Sequence, residues 1–180
     1  LLMNSIKNNY AFVMKSIKIN KTINPDLTNL KNKTFIVVGG SRGIGYNIAK
    51  KLAIQGANVT IVGKTVKKHP KLENTIFSAA EQICDITKKN NCMAVVCDIR
   101  KNKEIDFAIN ETVGIYNKID GIVLNASALC LNNTLNQTEK EIELMTSINI
   151  VGTYTFGQKY IQYMRDCYKG HILMIAPPLE

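Results

Sequence analysis

Between an apolar run and a helical pattern, the segment Val38-Gly39-Gly40-Ser41-Arg42-Gly43-Ile44-Gly45 places four glycines within seven residues. Glycine tolerates positive φ and lets backbone N–H groups approach a ligand closely. A helix that starts just beyond such a loop adds unpaired N–H donors and the positive end of its dipole. Together these suit a pyrophosphate, with Ser41 as an extra hydroxyl donor. A glycine-rich turn without a ligand is the plainer reading, but it gives no cause for the density and placement of these glycines.

The second chemical signal lies at Gly63-Lys64-Thr65, which ends the next apolar run with no carboxylate before Glu73. A dinucleotide with a free ribose 2′-hydroxyl is usually held by Asp or Glu at this point, whereas a 2′-phosphate needs cations. Arg42 can fork two phosphate oxygens and Lys64 supplies a point charge. NADP(H) is therefore the expected cofactor. Lys67, Lys68 and Lys71 read as solvated charges at a helix entry. Asn125 follows a buried run, where a structural hydrogen bond to a neighbouring strand competes with a cofactor role.

Other chemistries find little support. Five cysteines (84, 92, 97, 130, 167) form no C-x-x-C pair, their odd count argues against a closed disulfide set, and the two histidines lack metal-ligand spacing. Free thiols in a reducing compartment are expected, with no metal. His69 reads as a loop residue. The formal charge is +9, but residues 1–33 hold six lysines against Asp26 alone. Much of the basicity thus belongs to a tail, and a nucleic-acid partner is not expected. That tail is read either as a mitochondrial presequence, although it contains no Arg, or as a disordered extension, and its first residue, Leu1, leaves Met3 or Met14 as candidate starts. No apolar run approaches the roughly 20 residues of a membrane-spanning helix.

These candidate residues need a frame to hold them. From Thr34 onward, apolar runs alternate with helical patterns. Strands are expected at 34–38, 58–62, 92–97, 121–126 and 171–176. The first helix shows a stripe of Ile44, Ile48 and Leu52, with Gly56 just past its end. The second shows Ile76, Ala79, Ala80 and Ile83, and the third Ile105, Ala108, Ile109 and Val113. Thr138 and Glu141 form a capping box that opens one long helical region reaching about Tyr168. Five alternations with β-branched strands and short loops describe a doubly wound α/β fold, a Rossmann-like parallel sheet covered on both faces. Two units are expected: a basic extension over 1–33 and a dinucleotide-binding domain, incomplete at its C-terminus, over 34–180.

V-G-G-S-R-G-I-G resembles the T-G-x-x-x-G-I-G loop of the short-chain dehydrogenase/reductase family, with Val38 for the Thr. Leu124-Asn125-Ala126-Ser127-Ala128 is similar to that family's N-N-A-G, and Cys97-Asp98-Ile99 to its adenine-contacting acidic position. The resemblance covers Thr34 to Glu180. It sharpens at the H-P-K-L stretch (69–72) and at Pro177-Pro178 towards members that carry a sterol-carrier-like domain further along their chains. That implies a lipid or fatty-acyl substrate, a peroxisomal or mitochondrial home, and association through the long helices.

By the same resemblance, hydride transfer relies on a Tyr acid/base, a Lys that lowers its pKa, a Ser and an Asn. Hydride addition to a carbonyl builds negative charge on oxygen, which a positioned proton donor must neutralise. Asn149 matches the family's N-x-x-G and is the candidate catalytic Asn; a core or solvated helix Asn is the competing reading. Ala176-Pro177 stands where the family has Ser-Ser. Tyr154, Tyr160, Tyr163 and Tyr168 have no Lys four residues on, and no Tyr-x-x-x-Lys is expected in the chain. The reading is thus the cofactor-binding portion of an NADP(H)-dependent oxidoreductase whose catalytic Tyr and Lys lie past Glu180. These 180 residues alone are expected to be inactive. A non-catalytic dinucleotide-binding or scaffold protein is the alternative.

Overall fold

A computed structural model describes residues 29–67, 74–167 and 169–176. The tail up to residue 28, the stretch holding Lys68, His69, Lys71 and Glu73, Tyr168 and the closing Pro177-Pro178-Leu179-Glu180 lie outside the described residues.

Strands and helices alternate as β1 (Thr34–Val38), α1 (Gly43–Ile54), β2 (Asn58–Gly63), α2 (Ile76–Thr87), β3 (Cys92–Val96), α3 (Asn102–Tyr116) and β4 (Gly121–Leu124). A long loop with one 3-10 turn leads to α4 (Glu139–Met145), a π-helical segment (Thr146–Gly152), α5 (Thr153–Cys167) and β5 (His171–Met174). The five strands are all parallel and lie in the order β3-β2-β1-β4-β5. This is the doubly wound, Rossmann-like arrangement. Its topological switch point lies between β1 and β4, where such sheets take their ligands.

β1 occupies the middle of the sheet, so its β-branched and aliphatic side chains are buried on both faces. Val37, with its register partners Ile61 and Val123, packs on Ala49, Ala53, Ile76, Ala79 and Ile83. Ile36 and Val38 face the other layer, which contains Ile105, Ala108, Phe156 and Tyr160. Each strand thus feeds both layers with a period of two. Thr60 lies on the second face, where the Thr112 hydroxyl donates to its hydroxyl at 3.1 Å.

Two expectations change. The Ile44–Ile48–Leu52 stripe is not the buried face of α1: Ile44 is 63% exposed, while Gly45, Ala49 and Ala53 lie against the sheet. Small residues let the helix approach β1 closely, and Ile48 and Leu52 pack at its flank. The long helical region, opened as expected by the Thr138–Glu141 capping box, is also not one uniform helix. Its middle widens into the π segment, and Gly152 at its end lies so near Ile99 that a Cβ there would come within 3.0 Å of the Ile99 carbonyl oxygen. Such insertions re-aim side chains locally, and Asn149 sits within this one. At the sheet's far edge β5 leaves Leu173 and Met174 half exposed.

Candidate cofactor site

A cleft of about 250 Å³ opens at the C-terminal ends of the strands. Its floor is built by short contacts between consecutive elements. The Gly39 N–H donates to the Val62 carbonyl at 2.7 Å, tying the glycine loop to the end of β2. The Asn125 N–H donates to the Val38 carbonyl at 3.2 Å, and its side-chain amide donates to the Gly39 carbonyl at 3.1 Å. Gly39 has φ +76° and passes so close to β4 that a Cβ would sit 2.8 Å from Ala126 Cα. At Gly45 a Cβ would collide with the Gly39 carbonyl oxygen and come within 2.5 Å of the Asn125 amide nitrogen. Both glycines are therefore required by the backbone of this loop.

The start of α1 differs from those of α2 and α4; α3, behind Lys101, is also uncapped but carries Glu104 in its first turn. Thr75 with Ser78 caps α2 and Thr138 with Glu141 caps α4, each by a reciprocal capping box. Arg42, the N-cap of α1, gives no side-chain cap, and the first turn of α1 holds no acidic residue. Its leading N–H groups have no side-chain acceptor from a cap, which suits an anion. Arg42 and Lys64 are exposed on the cleft wall, and neither enters a salt bridge among the described residues. Ser41 is buried beside them.

Asp98 faces the same cleft, and its carboxylate is already engaged. The Arg100 side chain donates to both of its oxygens, at 2.9 and 3.1 Å from Nε and with a further bond from Nη2, and the Arg100 backbone N–H donates at 3.1 Å. These bonds hold the Asp98 pKa down at about 2 against the opposing effect of burial, and Lys64 contributes from nearby. Asp98 is therefore ionised throughout the neutral range. Its own N–H donates to Glu104 at 2.7 Å, and Glu104 pairs with Lys101.

The cleft thus brings together Gly39, Ser41, Arg42, Lys64, Asp98 and Asn125. Gly40, Gly43, Ile44 and Gly45 shape the loop and the helix start without lining it. Thr65, Cys97, Ser127 and Ile148 also line it, and their only sequence signal is adjacency to a strand end or to Asn149. Burial pushes the Cys97 thiol up to about 12, so it is no nucleophile. Among the described residues, no group of three or more His, Cys, Asp or Glu side chains could hold a metal ion, and no helix is long and apolar enough to cross a membrane.

Asn149 accepts from the Ala128 N–H at 2.8 Å and donates to the Ala128 carbonyl at 2.9 Å. It clamps the loop that leaves β4 onto the π segment, next to Ile148 in the cleft lining. A side-chain amide has two donors and an acceptor oxygen with two lone pairs, so one N–H and one lone pair remain available. Tyr160 and Tyr163 serve the core instead. The Tyr160 hydroxyl donates to the Ile119 carbonyl at 3.3 Å, and Tyr163 accepts from the Ile119 N–H at 3.1 Å.

The expectation that no Tyr-x-x-x-Lys occurs needs correction: Tyr46 and Lys50 have that spacing, on α1. Their geometry differs from that of a proton donor. The Lys50 ammonium lies 5.5 Å from the centre of the Tyr46 ring, and the hydroxyl donates to Gln82 on α2 at 3.2 Å. Burial, with some help from Cys92, raises the Tyr46 pKa, opposite to what an acid/base Tyr requires. Neither residue lines the cleft. Tyr46→Phe is accordingly expected to remove only the bond to Gln82 and to lower stability in a denaturant melt by about 1 kcal/mol; a loss several times larger would mean that the hydroxyl does more than tie α1 to α2.

Residues 33–177 match the family described as short chain dehydrogenase. Hydroxysteroid dehydrogenase-like protein 2 of Mus musculus is 40% identical over 156 residues, which are 87% of this chain and 31% of that protein. The Homo sapiens protein of the same name is 39% identical over 156 residues, 87% of this chain and 37% of its own. A crystal structure of a short-chain dehydrogenase from Mycobacterium thermoresistibile superposes with TM-score 0.77 at 39% identity, covering 84% of this chain and 54% of that one. The chain therefore spans about a third of the length of these curated relatives and about half of the solved structure.

Proposed function

Because the chain belongs to the short-chain dehydrogenase family, we propose that it holds NADP(H) in the cleft and forms the cofactor-binding part of an oxidoreductase acting on a carbonyl or hydroxyl group of a lipid-like molecule. Family and fold together imply a nicotinamide dinucleotide. The observation that carries the choice of NADP(H) is the pair Arg42 and Lys64, exposed on the cleft wall where β2 ends without a carboxylate. A ribose 2′-hydroxyl would find no carboxylate at the end of β2, whereas a 2′-phosphate would find two cations.

The donor set fits the cofactor. The uncapped start of α1 and the Ser41 hydroxyl would hold the pyrophosphate, Asp98 the adenine edge, and Asn125 the shape of the loop beneath. When bound, the nicotinamide supplies hydride transfer. Asn149 is assigned as the catalytic Asn, using its remaining N–H and lone pair to hold a proton-carrying water. Tyr46 and Lys50, which do not line the cleft, are not assigned as the proton donor. The sterol-carrier resemblance and the names of the relatives favour a lipid-like substrate and a peroxisomal or mitochondrial location, with association through the exposed faces of α3 and α5.

The test is NADPH oxidation by the intact protein with apolar carbonyl compounds. Asn149→Ala is expected to lower kcat about 100-fold, the low end of what acid–base relays supply, with the dissociation constant for NADPH little changed. A loss of melting temperature with kcat intact would reduce Asn149 to a clamp on Ala128. The second reading, a non-catalytic dinucleotide-binding or scaffold protein, is favoured by the placement of Tyr46 and Lys50 away from the cleft. It expects NADPH binding with no oxidation for any carbonyl.

A further inference from the structure

Lys64 and Asp98 reach the same cleft wall through the pairing of β2 with β3. Gly63 is in register with Val96, and the Cys97 N–H donates to the Gly63 carbonyl at 3.0 Å, so the residues that follow each strand end leave side by side. A cation and a carboxylate placed this way would ordinarily pair. Here the Asp98 side chain is 12% exposed and is forked by the Arg100 guanidinium through Nε and Nη2. Lys64 makes no salt bridge among the described residues. Arg100 itself does not line the cleft.

We infer that Arg100 is a positioning residue for cofactor choice: by occupying both oxygens of Asp98 it keeps that carboxylate from pairing with Lys64 and leaves Lys64 to meet a ribose 2′-phosphate. Without Arg100 the Asp98 charge would face the cleft uncompensated. It would draw in Lys64 and repel the added phosphate, while a cofactor with a 2′-hydroxyl would be little affected. This inference rests on the NADP(H) reading of the same site.

The test measures NADPH and NADH dissociation constants for the intact protein by calorimetry. Arg100→Gln is expected to lower the NADPH preference about tenfold, the effect of roughly 1.4 kcal/mol, chiefly by weakening NADPH binding. The double variant Asp98→Asn with Arg100→Gln, which leaves no orphaned carboxylate, is expected to return the preference to within about threefold of the unaltered protein. A preference unchanged in Arg100→Gln while Lys64→Ala abolishes it would overturn the inference and leave the cofactor reading standing. No preference in the unaltered protein would remove both. If Arg100→Gln does not fold, Arg100→Lys, a point charge without the planar fork that engages both Asp98 oxygens, takes its place: a lowered preference supports the inference and an unchanged one overturns it.

Discussion

Replacing Gly45 with alanine is expected to lower the melting temperature by about 5–10 °C and to weaken NADPH binding at least about 100-fold. On an exposed helix the same change would stabilise the protein by up to about 1 kcal/mol. At Gly45 that gain is outweighed. The new methyl would meet the carbonyl group of Gly39 and the amide of Asn125, and the first of these is loop backbone that can yield only by moving. Overpacking of this kind costs about 1–3 kcal/mol or more, and the movement would break the Asn125 bond that holds the Gly39 carbonyl. A thermal melt and an NADPH titration on the same preparation check both effects. Unchanged binding at an unchanged melting temperature would mean that the loop and helix do not approach as closely as described.

The second large effect concerns selectivity. Arg42→Ala combined with Lys64→Ala is expected to raise the NADPH dissociation constant about 100-fold and leave that for NADH within about twofold. Both side chains are exposed, so each contact is set at about 1.5 kcal/mol, the low end for bonds to charged groups, and two such losses give the stated factor. Neither residue is buried, and neither enters a salt bridge among the described residues, so stability should be unaltered. Isothermal titration with the two cofactors in parallel separates this outcome from a general loss of the site, which would weaken both equally.

The strands and the helix faces of α2 and α3 could be read from the sequence because they depend on local pattern. β-branched runs bounded by turns gave the five strands, and Ile76, Ala79, Ala80 and Ile83 are all buried. The face of α1 could not be read this way. Its packing depends on how near the backbone comes to β1, which favours Gly45, Ala49 and Ala53 over the larger isoleucines. The π segment likewise arises from a tertiary contact, Gly152 against Ile99, that no periodicity announces. At the site, Arg42 and Lys64 are visible in the sequence through the missing carboxylate after β2. Arg100 is not, since its role comes from a two-residue turn that folds its guanidinium back onto Asp98. The Tyr46–Lys50 pair shows the reverse case: it has the right spacing, yet α1 carries it away from the cleft.

The central claim is that this cleft takes a dinucleotide bearing a 2′-phosphate, and the most direct measurement is the pair of dissociation constants for NADPH and NADH with the intact, unaltered protein at one salt concentration. NADPH is expected to bind at least about tenfold more tightly, with the difference shrinking as salt screens Arg42 and Lys64. Equal affinities, or tighter binding of NADH, would contradict the assignment of these two cations to the ribose phosphate.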